Sequence, residues 1–233
     1  MNYKRIIPDS ITGCNLLCGS IAVYLATQGA FIWAFIFILL GAFFDFFDGL
    51  SSRLLNVPSP IGIQLDSLAD DITFGLAPSM MLFCYLRPAL GWWALIALVM
   101  AAFSALRLAK FNVDERQHES FIGLATPANA IFWGGICALP ASILAHSWVA
   151  WCLLGISLLS CYLLNAEIPF FSFKSFRKDK MVVISFLIGC VILIGLCIVK
   201  AVMTHHIAFA FVSGAACIIW YVVLNIILAC AKK

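Results

Sequence analysis

Five of the chain's eleven acidic residues fall between positions 45 and 71, in the stretches Asp45-Phe-Phe-Asp48-Gly49-Leu-Ser-Ser52-Arg53 and Gly62-Ile-Gln-Leu-Asp66-Ser67-Leu-Ala-Asp70-Asp71. Asp45 and Asp48 are three apart, and Asp66 and Asp70 four apart, so on helices each pair shares a face. Two such helices can aim four carboxylates at one point. Anions gathered in a restricted low-dielectric space repel one another, and metal ions are the simplest remedy. Oxygen ligands with no His or Cys beside them favour a hard cation such as Mg²⁺ or Mn²⁺ over Zn²⁺. Gly49 and Gly62, next to the two pairs, leave room for a nucleotide or phosphate to approach the backbone. Arg53, one turn beyond Gly49, offers a fork of donors to a phosphate oxygen. A lone pair of carboxylates at a helix end is more often a solvated anchor. Two pairs with two glycines and an arginine describe a diphosphate site. Asp71 points about 100° away from Asp70 on a helix and reads as a solvated or bridging residue.

The elements that position these residues follow from composition. Of 233 residues, 64% are hydrophobic and 11% charged, and the mean hydropathy is +1.07. No soluble domain of this size would carry that surface, so the chain reads as an all-α integral membrane protein, a polytopic bundle of about eight transmembrane helices. Apolar runs place the spans near 11–28, 31–48, 66–86, 91–108, 128–146, 148–165, 181–203 and 207–230. They use up the chain as one membrane domain, 1–233, with catalytic helices in 1–145 and additional helices in 146–233. The polar stretches 49–65 and 109–127 read as loops. The ten cysteines are scattered through apolar segments without a CxxC and read as small buried hydrophobes.

Eight spans put both termini on one side. With that side cytoplasmic, Lys4, Arg5, Arg53, Arg107, Lys110, Arg116, Lys174, Arg177, Lys178, Lys180, Lys232 and Lys233 lie inside and only Arg87 and Lys200 outside. The same orientation puts every acidic residue at the cytoplasmic face of a cell inner membrane, so the chemistry is expected to face the cytoplasm. The cluster Lys174, Arg177, Lys178 and Lys180 reads as an orientation and anionic-lipid contact, and His205-His206 as irrelevant to the site.

The run Asp45-x-x-Asp48-Gly49-x-x-Ser52-Arg53-x8-Gly62-x3-Asp66-x3-Asp70 resembles the signature of the CDP-alcohol phosphatidyltransferases, DxxDGxxAR followed by GxxxDxxxD, with Ser52 in place of the usual alanine. Three further segments are similar to members of that family that use L-serine as acceptor. They are Pro8-Asp9 through Asn15 to Gly19, Leu65-Asp66-Ser67-Leu68-Ala69-Asp70 with Phe74-Gly75 and Ala77-Pro78, and Ala105 to Asn112 with Phe121 to Pro127. Asp9 and Ala125 depart from the family pattern, where asparagine and proline are usual. The resemblance covers residues 8–130. It implies a metal-dependent enzyme of phospholipid biosynthesis that moves a phosphatidyl group from CDP-diacylglycerol to a hydroxyl and releases CMP. Its expected partners are CDP-diacylglycerol, L-serine and membrane lipids, with no nucleic acid, and family members are commonly homodimers.

On that resemblance, two divalent ions, Mg²⁺ or Mn²⁺, are expected on Asp45, Asp48, Asp66 and Asp70, with Asp70 the general base. Thr12, Asn15, Gly49, Ser52, Arg53, Gly62 and Asp66 are the expected nucleotide contacts. From residue chemistry alone, Thr12 and Asn15 serve equally well as helix caps or interhelical bonds. Ser67, Arg107, Lys110 and Asn112 are candidates for the acceptor or a phosphate, although a positive-inside anchor explains Arg107 and Lys110 as well. Two rivals remain. A sister enzyme taking glycerol 3-phosphate, inositol phosphate or another alcohol would need more cations beside the site. A cation transporter would need acids near mid-span and a polar path across the membrane.

Overall fold

A computed structural model describes residues 3–57, 59–114, 121–170, 180–204 and 208–231. Arg116, Lys174, Arg177, Lys178, His205, His206, Lys232 and Lys233, with residues 115–120 of the polar stretch 109–127, lie outside the described residues, as does the side chain of Lys180. The helices are α1 (Ile6–Thr27), α2 (Phe31–Leu55), α3 (Pro60–Asp70), α4 (Ala77–Leu90), α5 (Val99–Val113), α6 (Thr126–Cys137), α7 (Ser147–Asn165), α8 (Lys180–Thr204) and α9 (Ala208–Ala231). A π-helical turn, Asp71–Leu76, joins α3 to α4, and a 3-10 stretch, Gly91–Leu98, leads into α5. Among the described residues there are also two short 3-10 turns, Tyr3–Arg5 and Ala141–Ala145, and one antiparallel pair of two-residue strands, β1 (Phe121–Ile122) and β2 (Pro169–Phe170).

Among the described residues, six helical segments are long and apolar enough to cross a membrane, which fits an integral membrane bundle. One of them is the whole run Pro60–Val113. It reverses at Gly91, whose φ of +56° suits a residue without a side chain, so that Ser104 of α5 packs back against Gly75. The span expected at 128–146 is broken: α6 has 12 residues and gives way after Cys137 to a separate 3-10 turn, Ala141–Ala145. That is short of the roughly 20 residues a straight crossing takes.

The helices also run further than hydropathy suggests. The stretch expected as a loop at 49–65 is helical except around 56–59, because its polar residues satisfy helix carbonyls themselves. Ser51 Oγ donates to Asp48 O at 2.9 Å and Arg53 Nε to Gly49 O at 2.9 Å. Helix α2 then stops at Asn56, which adopts the left-handed conformation at φ 52°. Helix α3 starts on a strong signal: Ser59 Oγ accepts from Gly62 N at 2.8 Å, with Pro60 in the first turn. Asp45 consequently lies ten residues before the end of α2, about 15 Å along its axis.

Hydrocarbon gives apolar side chains no reason to prefer one another over lipid, so close packing and interhelical hydrogen bonds must hold the helices together. Phe35 of α2 lies over Gly134 of α6, and Trp133 Nε1 donates to Ser160 Oγ of α7 at 3.2 Å. The closest approach matters most for the site. A methyl group on Gly19 of α1 would stand 2.8 Å from Thr73 Cα, and one on Gly41 of α2 would meet Thr73 Cγ2 at 2.5 Å. Three chain segments therefore meet at Thr73, with α1 against its backbone and α2 against its side-chain methyl, and its hydroxyl donates to Asn15 O at 3.0 Å. The contact sets the spacing of the helices that carry the four carboxylates.

Candidate active site

The carboxylates converge. Oxygens of Asp45 and Asp48 from α2 and Asp66 from α3 all lie within 4.8 Å of one another. Asp70 stands outside that trio, next to Asp45. Its Oδ1 accepts a 3.0 Å hydrogen bond from Asn15 Nδ2. Asp48 is 5% exposed and its Oδ2 accepts from Thr12 Oγ1 at 2.7 Å, a short charge-assisted bond from α1. Asp66 Oδ1 is buried and has no hydrogen-bond partner among the described residues. A buried carboxylate oxygen without a donor, facing two more carboxylates, fits a hard divalent cation.

Two clefts flank the trio and share Asp66. The first, about 290 Å³, lies between α1, α2 and α3 and is lined by Asp9, Thr12, Asp48, Gly49, Ser52, Arg53, Ser59 and Gly62, among others. Six of the seven residues expected at the nucleotide are in it: Thr12, Gly49, Ser52, Arg53, Gly62 and Asp66. Asn15 is not. It is fully buried behind the carboxylates, with Thr73 on its carbonyl and Asp70 on its amide. The side of Gly49 that a methyl group would occupy is open, whereas at Gly62 a methyl would meet Ser59 Oγ at 3.1 Å, so Gly62 also serves the helix cap.

The second cleft, about 260 Å³, is lined by Asp45, Asp66, Ser67, Asp70, Arg107, Phe111, Asn112 and Thr126, among others. Ser67, Arg107 and Asn112 are thus brought together with Asp70, and Lys110 is left outside, exposed on α5. Asn112 Nδ2 donates to Ser67 Oγ at 2.7 Å, tying α5 to α3 across the cleft. Arg107 is 7% exposed and its Nε has no hydrogen-bond partner among the described residues. Asp71, expected as a solvated or bridging residue, instead lies half-buried with its Oδ1 enclosed beside Gly75 and Ser104.

Several lining residues gave no chemical signal in the sequence. Ser59 reads as an ordinary turn serine, and Phe111 and Thr126 as unremarkable residues beside a loop. Tyr221 of α9, which lines neither cleft, is near enough to Arg107 for their charges to interact, far beyond the stretch where the motifs lie. Only Ser59 was findable, as a serine before a proline at the start of a helix.

Comparison with known proteins agrees with this geometry. Residues 5–163 match the family model for CDP-alcohol phosphatidyltransferase. Over 184 residues the chain is 37% identical to the CDP-diacylglycerol–serine O-phosphatidyltransferase of Bacillus subtilis, covering 78% of this chain and 97% of that protein. It is 35% identical over 155 residues to the protein of the same name from Methanocaldococcus jannaschii, covering 66% and 71%. The Helicobacter pylori (strain 26695) protein of that name is 33% identical over 134 residues, and there the match spans 56% of each chain. The family match extends past residue 130, where the motif resemblance ends, through most of α7, and stops before α8 and α9. The chain belongs to the CDP-alcohol phosphatidyltransferase family.

Proposed function

We propose that this membrane enzyme transfers the phosphatidyl group of CDP-diacylglycerol to the hydroxyl of L-serine, giving phosphatidylserine and CMP. The observation that carries the reading is the pair of clefts meeting at Asp66, one with the residues suited to a nucleotide and the other with Asp70 and Arg107. Cytidine and the diphosphate occupy the first cleft, with Arg53 on a phosphate oxygen. The acceptor occupies the second, where Arg107 pairs with its carboxylate and Ser67 and Asn112 orient it. Asp70, held by Asn15 and apart from the trio, takes the serine hydroxyl proton. The serine oxygen forms the new bond to phosphorus as the bond to the CMP oxygen breaks, and CMP leaves with that electron pair.

Asp45, Asp48 and Asp66, with Asp70 beside them, would hold the divalent ions, Mg²⁺ or Mn²⁺. When bound, these neutralise the diphosphate and the charge that develops on the leaving group. Relatives carrying the serine transferase name support the choice of acceptor. So does the cleft itself: among its described lining residues Arg107 is the one cation, enough for a carboxylate and sparse for an alcohol that brings its own phosphate. The distribution of Lys and Arg supports a cytoplasmic site and cytoplasmic termini.

The test is CMP release by purified protein from CDP-diacylglycerol with a panel of alcohols. Release with L-serine and not with glycerol 3-phosphate or inositol phosphate is expected. Release with glycerol 3-phosphate alone would move the protein to a sister reaction.

A further inference from the structure

The acceptor cleft is polarised. Its α2 and α3 side carries Asp45, Asp66 and Asp70, and its α5 and α6 side carries Arg107 together with Ala125, Thr126 and Pro127. These last three are the cap and the first two residues of α6, so the cleft meets that helix at its N-terminal end. The first N–H groups of a helix have no partner inside it. A Ser, Thr, Asp or Asn at the cap position takes one of them, whereas Ala125 has no group that can, and no side-chain cap is made. Asn129 N bonds to Ala125 O at 3.0 Å, the first bond of the helical ladder, and Pro127 has no N–H to leave unmade. The helix therefore leaves the N–H groups of Thr126 and Ala128 over, at the positive end of its dipole.

A second observation points to a ligand in the same place. Arg107 lines the cleft, is 7% exposed, and its Nε has no hydrogen-bond partner among the described residues. A guanidinium buried this far is costly until an anion completes it. Together, the arginine and the end of α6 offer an anion two kinds of donor, a planar fork and backbone N–H groups. The aspartates across the cleft leave the α5 and α6 side as the place for a carboxylate.

We propose that the N-terminal turn of α6 and Arg107 together form the carboxylate subsite of the acceptor cleft, with Arg107 on one carboxylate oxygen and the Thr126 and Ala128 N–H groups on the other. This rests on the reading of the acceptor as L-serine. With the carboxylate fixed there, the hydroxyl of serine is left on the side of Asp70. The subsite selects an amino acid over an amino alcohol, because ethanolamine offers the hydroxyl and the amine but nothing for Arg107 and α6.

The test gives α6 the cap it lacks. Ala125 has φ −66° and ψ 137°, an extended conformation suited to a cap residue, so Ala125→Asn and Ala125→Asp each place a side-chain oxygen on the N–H groups of the first turn. Thermal unfolding of both variants in detergent should be unchanged or raised, since a cap strengthens the helix, while the same donors are withdrawn from the substrate. KM for L-serine, read from CMP release by the full-length protein in mixed micelles, should rise about fivefold in Ala125→Asn, the worth of one ordinary hydrogen bond. It should rise about tenfold or more in Ala125→Asp, whose charge also repels the carboxylate. KM for CDP-diacylglycerol should stay within about twofold in both, and the parent should release at least about tenfold less CMP with ethanolamine than with L-serine. An unchanged KM for L-serine in both stably folded variants, or equal use of ethanolamine by the parent, would overturn the proposal. So would a rise confined to KM for CDP-diacylglycerol, which would put the lipid's phosphate at α6 instead. Failure of the acceptor reading shows in the parent, as no release with L-serine, and overturns both; the variant results overturn this proposal alone.

Discussion

Replacing Asn15 by leucine separates two roles for that residue. The side chains are close in size, so packing behind the carboxylates is kept, and the Thr73 bond to the Asn15 backbone carbonyl is untouched. What is lost is the 3.0 Å donor to Asp70 Oδ1. A hydrogen bond to a charged group is worth about 1.5–3 kcal/mol. If that energy serves only to hold Asp70 for proton abstraction, kcat falls by about 10- to 150-fold, at one decade per 1.36 kcal/mol. The loss should stay well short of that from Asp70→Asn. Because Asn15 lies outside the nucleotide cleft, KM for CDP-diacylglycerol should stay within about twofold of the parent, as expected when no ground-state contact is removed. Steady-state CMP release in mixed micelles, varying each substrate in turn, reads both constants. An unchanged kcat with KM for CDP-diacylglycerol raised tenfold or more would refute the reasoning and return Asn15 to the nucleotide contacts that the family resemblance implies.

Three further outcomes follow from particular contacts. Gly19→Ala drives a methyl group to 2.8 Å from Thr73 Cα, a backbone atom that cannot give way. Overpacking of this kind costs about 1–3 kcal/mol, so thermal unfolding in detergent should shift down by several degrees, whereas Gly13→Ala, with open space around it, should leave it unchanged. Ser59→Ala removes the cap of α3 and about 1 kcal/mol. It should raise proteolysis near residues 56–59 and weaken CDP-diacylglycerol binding more than serine binding. Arg107→Gln should raise KM for L-serine by about 10- to 150-fold, the worth of one charge-assisted bond, with KM for CDP-diacylglycerol little changed. An unchanged serine KM would remove Arg107 from the acceptor site.

The carboxylates were legible because their signal is local. Spacings of three and four residues are a property of one helix, and they report a shared face wherever that helix lies. The membrane class was legible for the same reason, since hydropathy is a sum over neighbouring residues. Helix ends were not. Ser51 and Arg53 look like loop residues by polarity, yet they bond back to their own helix and extend it. The broken span at α6 hides behind continuous hydropathy, because Pro140 interrupts the helix without interrupting the apolar run. Asn15 shows the deeper limit. The family resemblance implied the nucleotide, but its partner Asp70 is 55 residues away, and the approach of Gly19 and Gly41 to Thr73 brings the two together.

The account rests on the aspartate cluster acting as a cradle for divalent ions during serine-dependent transfer. The direct measurement is CMP release from CDP-diacylglycerol and L-serine by protein stripped with a chelator, followed by titration with Mg²⁺ or Mn²⁺. No release is expected from the stripped protein, with full recovery on adding either ion and no recovery in Asp48→Asn. Undiminished release in excess chelator would contradict it.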